Sequence, residues 1–137
     1  MAGENDAGRR VHHVAVVARD LAKSEAFYGG VLGLPVVRRW SDEAGRPRSV
    51  WFGLGGGAFL AVELPPEATR TGERAKADGA AGWHCVAIAI EPSEREVFRR
   101  RLEEAGFPVE RESPFTLYVR DPDGALAALS HYPDAAI

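Results

Sequence analysis

Cysteine is almost absent from this chain of 137 residues: Cys85 stands alone, which excludes an intrachain disulfide and points to a reducing compartment. No apolar run approaches the roughly 20 residues needed to span a bilayer. The polar start, MAGENDAGRR, lacks the apolar core of a signal peptide. The expectation is a soluble, cytoplasmic protein with no membrane partner. Positive charge is not in excess either. With 17 Lys and Arg against 20 Asp and Glu the net charge is −3, so there is no electrostatic reason to bind nucleic acid. A glycine-rich phosphate loop is missing, because Gly55-Gly56-Gly57 falls between two strand-like runs and reads as a turn. No nucleophile-elbow motif is present, and Arg99-Arg100-Arg101 reads as a solvated helix face. What is there is ordinary globular material, 45% hydrophobic and 27% charged, enough for one domain or two small modules sharing a core. The partners that remain are small molecules and a second copy of the chain.

Taken in order, residues 1–10 form a polar tail with nothing to bury. Val11 to Ala18 is short and valine-rich, a strand. Asp20 is placed to cap a helix. Apolar residues then recur at helical spacing from Leu21 through Phe27 to Leu32, until Gly33 supplies a left-handed stop and Pro35 prevents resumption. Strands are expected over 35–40, 49–54 and 58–64, the last two joined by the triple glycine. That makes a βαβββ unit over 11–66, followed by a charged, small-residue connector over 67–82. The plan restarts over 83–137. A strand begins at Trp83, Ser93 and Glu96 form a capping box, and a helix runs to Gly106. Three further strands follow, with Asp121-Pro122-Asp123-Gly124 turning into the last of them.

The two halves align residue by residue. His13 and His84 lie 71 positions apart near the start of their units, Phe27 and Phe98 keep that offset, and Gly33-Leu34-Pro35-Val36 matches Gly106-Phe107-Pro108-Val109. A duplication of this period implies paired modules rather than a solenoid. Two histidines related in this way suit a divalent metal such as Zn, Fe, Ni or Mn. His12 is expected on the opposite face, because side chains alternate along a strand. Glu63 lies between Val62 and Leu64 and shares a face with Phe59 and Ala61, where an ionised carboxylate either needs a cation or metal or reaches solvent at the strand end beside Pro65.

His13-Val14 followed by Asp20-Leu21, Phe27-Tyr28 and Val31-Leu32-Gly33-Leu34, together with Asp121-Pro122-Asp123-Gly124, resembles the vicinal oxygen chelate superfamily. That superfamily includes glyoxalases, extradiol dioxygenases and bleomycin-resistance proteins. The resemblance implies an α+β fold of two βαβββ modules in tandem, whose curved mixed sheets form a cup-shaped incomplete barrel, and a homodimer. It also implies metal ligands from the first and fourth strands of each module: His13, Glu63, His84 and a residue of the last strand. The family's carboxylate, four residues after the turn glycine, falls on Ala128, which cannot bind a metal. A slip of two residues selects Ser130, and His131 has the wrong parity unless the strand bulges. The implied activity is that of a metal-dependent lyase, isomerase or dioxygenase, the metal acting as a Lewis acid on adjacent substrate oxygens. Glu63 is the candidate catalytic residue, with Tyr118, Trp51 and Ser130 as candidate substrate contacts. One alternative is a metal-free drug-binding or resistance protein with Trp40, Trp51, Trp83 and Tyr118 as aromatic walls. Another is a metal-free enzyme using Glu63 as general base.

Overall fold

The computed structural model describes residues 9–67 and 81–135; most of the expected tail and connector lies outside them. The first module runs β1 (His13–Val17), α1 (Leu21–Glu25), β2 (Val36–Ser41), β3 (Pro47–Gly53) and β4 (Phe59–Glu63). The second runs β5 (Val86–Ala89), α2 (Arg95–Glu104), β6 (Arg111–Glu112), β7 (Thr116–Arg120) and β8 (Leu126–Ser130). Each module forms one mixed four-stranded sheet, in the orders β1-β4-β3-β2 and β5-β8-β7-β6. In both sheets the first strand pairs parallel with the fourth and the remaining pairs are antiparallel. The fold is α+β with two βαβββ modules.

Local chemistry sets the element ends. Asp20 caps α1 by accepting from the Lys23 amide at 3.2 Å, as its position predicts. The helix then widens into a π-turn over Ala26–Val31, where the Leu32 amide donates to the Phe27 carbonyl at 2.9 Å. Gly29 and Gly30 weaken an α-helix here, and the wider turn buries the consecutive rings of Phe27 and Tyr28. Gly33 ends the segment at φ 75°, a conformation that side chains other than glycine resist. Ahead of α2 the expected Ser93–Glu96 box does not form. Pro92–Glu94 is a 3-10 turn instead, and Glu94 reaches back to accept from the Glu91 amide at 2.8 Å. Proline at the first position favours this tighter entry.

Both sheets turn one face into a common core. Val50, Phe52, Leu60 and Val62 come from sheet 1, and Leu117, Val119, Ala127 and Leu129 from sheet 2; Phe27, Tyr28, Leu32, Phe98 and Leu102 lie among them. The modules meet at polar contacts as well. Tyr28 Oη donates to Asp121 Oδ2 at 2.8 Å in the interior, and Arg19 pairs with Asp123 at 2.8 Å. The Asp121 Oδ1 atom accepts from the amides of Asp123 and Ala125, so the Asp-Pro-Asp-Gly turn is locked to the first module's helix. Burial pushes the Asp121 carboxyl up, against its hydrogen bonds from Tyr28 and the turn amides. Burial and the adjoining carboxylate push the Tyr28 hydroxyl far up, which keeps it a donor.

A second polar network closes the outer end of α2. Arg95, only 7% exposed, donates to His131 Nε2 at 2.9 Å, to Glu112 at 2.9 Å and to the Ser113 carbonyl at 2.8 Å. His131 faces this network rather than the opposite side of β8, as its parity in the sequence predicts. Arg99 also grips Glu112, and the two guanidiniums, Arg99 first, hold the Glu112 carboxyl down at about 2. A carboxyl depressed in the folded state stabilises the protein above its unfolded pKa near 4.5 and loses that contribution as pH falls toward 2. Glu112→Gln should therefore lower the urea midpoint at pH 6 and narrow its deficit against wild type steadily below pH 4.5. A deficit constant across that range would exclude this role for Glu112.

Candidate functional site

The faces turned away from the core carry the candidate residues, and the strand register arranges them in rows. On sheet 1 one row is His13 and Phe59, the next is Ala15, Ala61, Trp51 and Arg38, and the third is Val17, Glu63, Ser49 and Trp40. His13 and Glu63 are thus four residues apart along the sheet, about 13 Å between backbones at a strand's rise. The row between them is floored by two alanines, which leaves room for the longer side chains to lean toward each other. His13 stacks on Phe59 at 4.9 Å, and Phe59 stacks on Trp51 at 4.1 Å. Glu63 is exposed at the end of β4, so its charge is met by solvent rather than requiring a cation. The Ser49 Oγ and Trp51 Nε1 atoms of the same face are buried without a partner among the described residues.

His12 departs from expectation. Its Nδ1 lies 2.9 Å from His13 Nδ1, and its ring meets Phe59 edge-on at 5.6 Å, on the same side as His13. The residue precedes β1, so strand alternation does not govern it. With the shared proton on His13 Nδ1 and donated to His12, the Nε2 atom of His13 offers a lone pair to a metal.

On sheet 2 the rows are Ala87, Ala128, Tyr118 and Arg111, then Ala89, Ser130 and Thr116. The internal repeat can now be read from hydrogen bonds rather than letters. The Ala18 amide donates to the Glu63 carbonyl at 2.8 Å, and the Ile90 amide donates to the Ser130 carbonyl at 2.9 Å. Ser130 is therefore the counterpart of Glu63, and Ala128 that of Ala61. Continued back one residue from β5, the same register sets Cys85, not His84, opposite His13. Sequence matching missed this because residues 84–85 precede the paired strand. Burial pushes the Cys85 thiol up, and Arg111 opposes that shift.

His84 sits near this second face, its ring 6.1 Å from Tyr118 and its Nε2 accepting from Arg111 Nη2 at 3.1 Å. Trp83 beside it is 98% exposed and walls nothing within the chain. Among the described residues no group of three or more His, Cys, Asp or Glu side chains comes together to hold a metal. By donor type the set suits a metal on sheet 1, where His13 and the exposed Glu63 are open to a ligand, but those two supply only half of a four-ligand set. On sheet 2 it fits less well, since His84 is engaged by a cation and Ser130 replaces the carboxylate. No helix among the described residues is long and apolar enough to cross a membrane.

The fold and this paired arrangement of faces define a class. Residues 10–129 match the model of the glyoxalase/bleomycin resistance protein/dioxygenase superfamily, and the chain belongs to it. Solved structures agree on the fold. A glyoxalase/dioxygenase from Nostoc punctiforme superposes with a TM-score of 0.69 at 22% identity, covering 92% of both chains. The trypanothione-dependent glyoxalase I of Leishmania major gives 0.65 at 26% identity, over 90% of this chain and 87% of that one. A variant of the fosfomycin resistance protein FosX from Listeria monocytogenes, complexed with Mn(II) and a dihydroxypropylphosphonic acid, gives 0.66 at 18% identity over 89% and 91%. No curated protein matched the sequence.

Proposed function

We propose that the protein acts on a small molecule at a divalent metal held between two copies of the chain, with lyase, isomerase or dioxygenase chemistry. The observation that carries this reading is the placement of the candidate ligands. His13 and Glu63 stand on the open face of one sheet and His84 beside the open face of the other, with the shared core between. A second copy laid against the first brings sheet 1 of one chain over sheet 2 of its partner and closes the cup that neither chain forms alone. Exposed Trp83, Val17 and Trp40, at 98%, 62% and 41%, supply apolar surface for that contact.

In the closed site His13 and Glu63 would hold the metal, joined by His84 from the other copy once it gives up its bond to Arg111. The metal would supply Lewis acidity toward adjacent substrate oxygens. Trp51, Tyr118 and Ser130 are the side chains positioned to contact the substrate, and a released Glu63 is the group best placed to accept a proton. Sedimentation and metal analysis of protein purified without chelator test the reading together. The expected result is a dimer carrying one metal per site, with His13→Ala and His84→Ala each losing metal while remaining dimeric. A monomer, or a dimer whose metal survives both substitutions, would overturn it. A metal-free dimer with a drug-like ligand in the cup is the outcome that the alternative, a binding or resistance protein, requires.

A further inference from the structure

The row Arg38, Trp51, Ala61, Ala15 on sheet 1 has a counterpart, Arg111, Tyr118, Ala128, Ala87, on sheet 2. Both start at a guanidinium, pass an aromatic ring and end on two alanines. Only the second is arranged as a clamp. In sheet 1 the Arg38 guanidinium lies 3.9 Å over Trp40, out of its row, and Phe59 stacks on Trp51. In sheet 2 the Arg111 guanidinium lies 4.1 Å over the Tyr118 ring of its own row.

Arg111 shares with Arg38 and Arg101 a place over an aromatic ring and no carboxylate partner among the described residues. Arg95 and Arg99 share Glu112, and Arg120 pairs with Glu110, but Arg111 meets no carboxylate among the described residues. Of a guanidinium's five N–H donors, one goes to His84 Nε2 at 3.1 Å. The Tyr118 ring holds the group in place, and a guanidinium with donors left over suits two-point recognition of paired oxygens. Ala87 is exposed and has nothing beyond Cβ, while Ala128 beside Tyr118 is wholly buried. Thr116 and Ser130 border this row, their hydroxyls bonded to each other at 2.9 Å. Ser130 stands where sheet 1 has Glu63, and in the next row of this face the Glu110 carboxylate is taken up by Arg120 at 3.1 Å.

We propose that the open face of sheet 2 is an oxyanion subsite, in which Arg111 takes the carboxylate or phosphonate of a small flat ligand whose body lies along Tyr118 toward the exposed Ala87. This rests on the reading that the open faces bind a small molecule, and it does not depend on the metal. It makes the substrate class anionic.

Amide chemical shifts of the full chain, titrated in the presence of chelator with benzoate, phenylphosphonate and benzamide, test it. The two anions should shift Arg111, Tyr118 and Ala87, saturably and more weakly as salt is raised. Neutral benzamide should leave them in place. Preference for benzoate assigns a carboxylate ligand, and preference for phenylphosphonate a phosphonate. Arg111→Gln should weaken anion binding about tenfold or more, the scale of losing a charged hydrogen bond. Arg100→Gln, which removes the same charge from the exposed side of α2, should leave it unchanged. Equal binding of benzamide, or wild-type affinity in Arg111→Gln, overturns the proposal. Because chelator is present throughout, failure here leaves the metal reading standing, and a metal-free protein that still binds the anions sinks only the latter.

Discussion

Glu63→Gln should cost at least about 100-fold in divalent-metal affinity while leaving the fold intact, since even outer partners of a metal ligand are worth 10–100-fold. The substitution keeps the shape of the side chain and removes its charge. Glu63 ends β4 on the exposed side, paired in register with Val17 and Ser49, and its side chain contributes nothing to the core. The Glu63 carboxylate is exposed and open to a ligand, whereas the neighbouring Ser49 hydroxyl and Trp51 indole N–H are buried without partners. Competition titration with Zn and Mn, alongside circular dichroism, reads the two effects separately. Unchanged metal affinity with an intact spectrum would remove Glu63 from the site.

The largest expected loss of stability follows from Phe27→Ala, at about 3–5 kcal/mol for truncating a fully buried aromatic ring. Phe27 is wholly buried and sits edge-on to Tyr28 and to Phe107, each 4.9 Å away between ring centres. Phe107 belongs to the second module, so the cavity would open at the junction of the two halves. For a chain of this size the melting temperature should fall by about 12–20 °C, taking roughly 4 °C per kcal/mol. Calorimetry of the variant checks this, and a shift of only a few degrees would mean that the junction repacks.

Much of the fold was legible because local and periodic signals agreed. Asp20, Gly33 and the Gly-x-Pro-Val repeat each mark an element end by a rule that depends on a few neighbouring residues. The site was less legible because it depends on register. His84 looked equivalent to His13 by counting letters, yet strand pairing gives that place to Cys85, one residue on. His12 was assigned by alternation to the far face, and alternation does not hold before the strand begins. Arg111 carried no signal at all. A charged residue in a two-residue strand reads as solvated surface until its stacking on Tyr118 and its lack of an acid partner are visible. The π-turn was similarly hidden, since Gly29-Gly30 signals weakness in a helix without saying how the backbone will respond.

The buried bond from Tyr28 to Asp121 has a consequence for how the duplicated chain comes apart. It ties the helix of one repeat to the turn of the other, inside a core to which both contribute. Unfolding either half would break that bond and expose to water the apolar face that the two halves cover for each other. The two repeats should therefore not melt as independent beads. Denaturant unfolding followed by tryptophan emission, which reports Trp40, Trp51 and Trp83, and by far-ultraviolet dichroism should trace one coincident transition. Two separated transitions would show that the copies, despite their shared interior, have kept the autonomy of the single unit from which they were duplicated.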